Sequence, residues 1–91
     1  MASHYLVVSG ELYARTFPER VVVVRVHEAD PQPSKHPYAL AITTPVSGYV
    51  LPDLIEWLPS EAVQAGSLLG AIDPEVMATV NRLLRGILEL P

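Results

Sequence analysis

Hydrophobic and polar positions alternate in short blocks along this chain, and each block suggests an element. Tyr5, Leu6, Val7 and Val8 form an apolar, partly β-branched run closed by Ser9-Gly10, a strand followed by a turn. Residues 10–19 have helical character in their first half and are stopped by Pro18, which predicts a loop with at most one helical turn. Four consecutive valines, Val21 to Val24, run on into Arg25, Val26 and His27. Such side chains are stiff at χ1 and suit a pleated surface, so this is the strongest strand signal, with both faces of its first half buried. Residues 30–37 hold three prolines and no apolar side chain, a solvated connection of the kind that often carries function. Residues 38–43, 49–51 and 54–58 read as further short strands, the last two separated at Pro52, and residues 65–72 as a final strand with Gly70 near its end.

The last element is the firmest. Asp73 is a good N-cap, Pro74 suits the first helical position, and Glu75 complements the positive end of the helix dipole. Val76, Val80, Leu83, Leu84 and Ile87 then recur as one stripe, with Glu75, Arg82, Arg85 and Glu89 away from it. A helix of this pattern packs one face on a sheet. The fold class expected is therefore mainly β with a C-terminal α-helix, an α+β domain spanning residues 1–91.

Composition narrows the function. A chain of 91 residues buries only roughly 60 to 65% of its unfolded surface, which favours assembly with another chain. At 49% hydrophobic and 18% charged it is too apolar to be disordered. No apolar run reaches the ~18 residues of a membrane helix, and the start lacks the pattern of a signal peptide, so no membrane role and a cytoplasmic location are expected. With no cysteine, disulfides and thiolate metal sites are excluded. The net charge of −4 is uneven: residues 1–36 balance Arg15, Arg20, Arg25 and Lys35 against four acids, whereas Arg82 and Arg85 face six in the remainder. An acidic chain is a poor non-specific polyanion binder, so any nucleic-acid role needs a local site.

Several segments, in order, resemble the MazF/PemK family of toxin–antitoxin toxins. Residues 6–13 look like its second strand and the turn after it, and residues 21–26 like its third. His36-Pro37-Tyr38-Ala39-Leu40-Ala41 is similar to its Pro-aromatic approach to the next strand. Gly48-Tyr49-Val50-Leu51-Pro52-Asp53 resembles the following segment, and Leu69-Gly70 with the Asp73 helix resembles its close. This resemblance implies an SH3-like barrel of the MazF/CcdB type, a homodimer, a cognate antitoxin, and cleavage of single-stranded RNA without metal or cofactor. Two departures accompany it. The chain is expected to begin near the family's second strand, without its first strand and basic loop, so that Ser3 and His4 stand where an Arg-Pro pair would fall. His27 also takes the place of the usual Ser/Thr at the end of the third strand.

Metal-free RNA cleavage needs a base for the 2′-hydroxyl, an acid for the leaving 5′-oxygen and a cation for the transition state. Histidine suits both proton roles. If the first strand pairs antiparallel with the valine strand, His4 falls near His27, and the two become the candidate catalytic pair. Arg25 is set apart from His27 in this reading, which leaves Arg15 in the loop as the candidate cation. Arg25, Lys35 and His36 are the candidate RNA contacts, and Tyr49 and Trp57 are candidates for base stacking or for packing. Because neither usual catalytic residue is present, a non-catalytic role stays open: a topoisomerase poison like the CcdB-type toxins, or a degenerate antitoxin-binding paralogue.

Overall fold

A computed structural model of the chain describes residues 4–28 and 36–88. Most of the proline loop, Lys35 included, lies outside the described residues, as does Glu89. The elements run β1 (His4–Val7), α1 (Glu11–Thr16), β2 (Arg20–Glu28), β3 (Leu40–Ile42), β4 (Gly48–Pro59), α2 (Ser60–Ala65) and α3 (Pro74–Leu88). The four strands form one antiparallel sheet in the order β1-β2-β4-β3. The α+β class is as expected, but the barrel is not closed. β1 and β3 are the edges of the sheet, and among the described residues no ladder joins them.

Local chemistry explains the elements. At the end of β1 the Ser9 hydroxyl accepts a hydrogen bond from the Val22 amide at 3.1 Å, while the Val8 amide donates to the Val22 carbonyl at 2.9 Å. These bonds lock β1 onto the valine strand. The two strand pieces expected on either side of Pro52 are one twelve-residue strand carrying a bulge. Val24 pairs with Ile55 but the next residue, Arg25, pairs with Leu51, so Pro52, Asp53 and Leu54 are extra on β4. Proline has no amide hydrogen to give to a ladder, and a bulge is where a central strand can hold one. Pro52 is buried there.

The strand expected over residues 65–72 does not form, and that over 38–43 shrinks to Leu40–Ile42. The chain instead leaves β4 into α2, whose first residue is tied down by tertiary bonds. The Ser60 amide donates to the Glu19 carbonyl at 2.9 Å, and the Ser60 hydroxyl to the Pro18 carbonyl at 2.8 Å. Residues 66–73 then run without regular structure to α3.

Helix α3 follows its sequence pattern. The Asp73 carboxylate accepts from the Glu75 amide at 2.8 Å, Val80 is fully buried, and Val76 and Leu84 pack on the same core. That core joins Val24 and Val26 of β2, Ile42 of β3, Val50 of β4 and Val80. Strand alternation turns Val23, Arg25 and His27 to the opposite face of β2. Val23 is also fully buried, and α2 packs against β2 and β4. Arg25 and His27, on the same face of β2 as Val23, are exposed. No helix among the described residues is long and apolar enough to cross a membrane.

Candidate functional site

The register of the sheet decides which candidate residues meet. His4 pairs with Val26 and Tyr5 with Arg25 across β1 and β2, so His4 points to the core side and His27 to the outer side. The two imidazoles are not brought together. His4 instead places its Nε2 2.5 Å from a Glu28 carboxylate oxygen, two residues beyond Val26 on the same face. The strand pairing inferred from sequence is correct. The juxtaposition fails because His27 lies one residue out of phase with His4's partner.

Arg25 and His27 are two residues apart in one strand and therefore share a face; the sequence reading that separated them miscounted the alternation. Across the sheet, Tyr5 stands opposite Arg25 on one side and Leu51 on the other, while Tyr49 stands opposite His27. The Arg25 guanidinium is held in place twice: its carbon lies 5.6 Å from the Tyr5 ring centroid, and its Nη2 donates to Glu56 at 3.3 Å. Both partners of that ion pair are nearly half exposed, so an incoming phosphate can compete for the guanidinium. The Tyr49 hydroxyl is buried without a hydrogen-bond partner among the described residues.

His36 sits elsewhere. The Tyr38 amide donates to its Nδ1 at 3.3 Å, and its Nε2 lies 3.2 Å from Asp53 Oδ1. The two side chains lie within ion-pair distance, and Asp53 Oδ1 is buried without a hydrogen bond among the described residues. Asp53 lies in the β4 bulge, whereas His27 stands opposite Tyr49 ahead of that bulge, so the register does not pair His36 with His27. Arg15 is not at the site either. It pairs with Glu11 at 3.1 Å on α1, which precedes the start of β2, whereas His27 lies seven residues, about 23 Å, from that start.

The outer face of β2 thus presents one imidazole beside one oriented guanidinium, with tyrosines on both neighbouring strands. Such a pair can accept a proton and stabilise an anionic phosphorus centre. The sequence reading overlooked Tyr5 and Glu56; a correct count of β1–β2 alternation would have found Tyr5, while Glu56 depends on the bulge and left no local signal.

A family described as "Type II toxin-antitoxin system toxin Rv0299" matches residues 1–87. The chain belongs to this toxin family. Two solved structures are similar over its whole length, each at 30% identity and a TM-score of 0.76. The first is described as "Endoribonuclease in complex with its cognate antitoxin from Mycobacterial species"; the match covers 100% of this chain and 84% of that one. The second is described as "Endoribonuclease from Mycobacterial species", with 99% and 83% covered. No curated protein matches. The sequence resemblance pointed to MazF/PemK; the matching family is the Rv0299 toxins, and the two agree on a type II toxin. This member of the Rv0299 family is, in structure, a homologue of an endoribonuclease, and its exposed imidazole and guanidinium share one strand face.

Proposed function

We propose that this toxin cleaves single-stranded RNA without a metal ion, using the outer face of β2, and that a cognate antitoxin restrains it. The observation that carries the reading is the shared face of His27 and Arg25 in a chain 30% identical to an endoribonuclease. Neutral His27 takes the proton of a ribose 2′-hydroxyl. The 2′-oxygen forms a bond to phosphorus, the bond from phosphorus to the 5′-oxygen breaks, and the departing oxygen takes a proton from solvent. Arg25, held by Tyr5 and Glu56, offers two parallel N–H groups to the phosphate as its charge rises. Tyr49 and Tyr5 flank the pair and offer surfaces for bases. His4 takes no part in proton transfer in this reading; its contact with Glu28 ties the start of β1 to the end of β2. Lys35 is a further phosphate contact from the proline loop.

The MazF/PemK-like plan also carries an expectation of assembly. Two edge strands and a small core favour pairing with a second copy, and the toxin acts as a cytoplasmic homodimer. A second reading, an antitoxin-binding member without catalysis, is favoured by one observation: a single imidazole stands beside Arg25. One experiment separates the two. With EDTA present, a labelled single-stranded RNA yields a product ending in a 2′,3′-cyclic phosphate, and a 2′-deoxy residue at the scissile position stops cleavage. With one base at work, the rate rises with pH and levels off instead of passing through a bell. Purified toxin that binds its antitoxin yet cuts no single-stranded RNA establishes the non-catalytic reading.

A further inference from the structure

Arg20 opens β2, opposite Pro59 at the end of β4, and its guanidinium lies among three aromatic rings. Its carbon is 4.1 Å from the Phe17 ring centroid, 5.9 Å from that of Tyr13 and 6.0 Å from that of Trp57. Tyr13 on α1 and Phe17 at its C-cap have ring centroids 5.2 Å from each other. Arg15 and Arg25 each have a carboxylate, but among the described residues none pairs with Arg20. Its Nε is buried with no hydrogen-bond partner among the described residues. Aromatic faces offset part of the cost of desolvating a cation but supply no counter-charge. Trp57, the single tryptophan of the chain, is 61% exposed beside it. The two Ser60 bonds to Pro18 and Glu19 fix this corner, so the cluster is held ready before any ligand arrives.

An un-neutralised, oriented guanidinium against an open indole face asks for a ligand that carries an anion and a flat π-system close together. A nucleotide unit of single-stranded nucleic acid has both. We propose that Arg20, Trp57 and Tyr13 form a second RNA contact, with a phosphate on the terminal nitrogens of Arg20 and a base stacked on Trp57. It takes its ligand class from the ribonuclease reading but lies apart from the cleavage site: Arg20 is five residues, about 16 Å, from Arg25 along β2 and on the opposite face.

The test uses the full chain and an uncleavable 2′-O-methyl oligonucleotide, with Trp57 emission as the signal. The oligonucleotide quenches Trp57 in a saturable, salt-sensitive way, and inorganic phosphate alone does not. By anisotropy of a labelled oligonucleotide, Arg20→Gln and Trp57→Leu each weaken binding about tenfold, whereas Trp57→Phe, which keeps a stacking face, changes it little. Quenching by phosphate alone would reduce the cluster to an anion site. Silent Trp57 emission with RNA but a change on adding antitoxin would overturn the proposal in favour of a protein-docking surface. Cleavage is scored separately: a silent Trp57 in an active ribonuclease refutes this contact alone, and a responsive Trp57 in an inactive protein refutes the cleavage reading alone.

Discussion

Replacing Val80 by alanine tests how much of the fold depends on the docking of α3. Val80 is the one buried residue of that helix, with no exposed surface, and joins Val24, Val26, Ile42 and Val50 in the core. The substitution removes two carbons. At about 0.8 kcal/mol each, their transfer contributes roughly 1.6 kcal/mol, and incomplete collapse of the cavity adds about 1 kcal/mol. The expected loss is therefore about 2 to 3 kcal/mol. A domain of this length has roughly 5 to 14 kcal/mol in all, so the midpoint of thermal unfolding should fall by about 10 to 20 °C. Urea unfolding followed by far-ultraviolet circular dichroism, at one fixed protein concentration, measures the loss. Arg82→Ala, on the exposed face of the same helix, should stay within about 0.5 kcal/mol of wild type. If Val80→Ala costs no more than this control, α3 is not docked through Val80 and the core described here is wrong.

Other outcomes follow from single contacts. Asp73→Ala removes the acceptor for the Glu75 amide and should cost about 1 kcal/mol in the same unfolding assay. At Gly70, φ is +146° and an added Cβ would lie 3.0 Å from the Pro45 Cβ, so Gly70→Ala should destabilise by about 1 to 2 kcal/mol; a neutral result in a thermal melt would show that the 66–73 segment does not sit against Pro45. Glu56→Gln weakens a solvent-exposed pair with Arg25, so stability should change by less than about 1 kcal/mol, and a larger loss by urea titration would contradict the exposed placement of that pair.

Much of the fold was legible because its signals are local. The valine run, the Ser9-Gly10 turn and the Asp73-capped stripe depend on nearest neighbours and on one period each, and β1, β2 and α3 stand where they predict. Helix α2 and the continuous β4 were not legible, because tertiary context decides them. Ser60 is fixed by carbonyls more than forty residues earlier in the chain, and Pro52 fits a central strand only because a bulge frees it from the ladder. The candidate site was legible as residue types and not as geometry. His27 and Arg25 were named, but alternation sends His4 to the core side, and α1 keeps Arg15 at the far end of β2. One residue of register separates a two-histidine site from an imidazole beside a guanidinium.

The most direct test of that site compares His27→Ala with His4→Ala in the cleavage of one labelled single-stranded RNA, with circular dichroism to establish that both variants are folded. A base that touches the reacting hydroxyl contributes about two to four orders of magnitude, so His27→Ala should lose that much rate while His4→Ala stays within a few-fold of wild type. Equal losses in the two variants, or full activity without His27, would contradict a cleavage site on the outer face of β2.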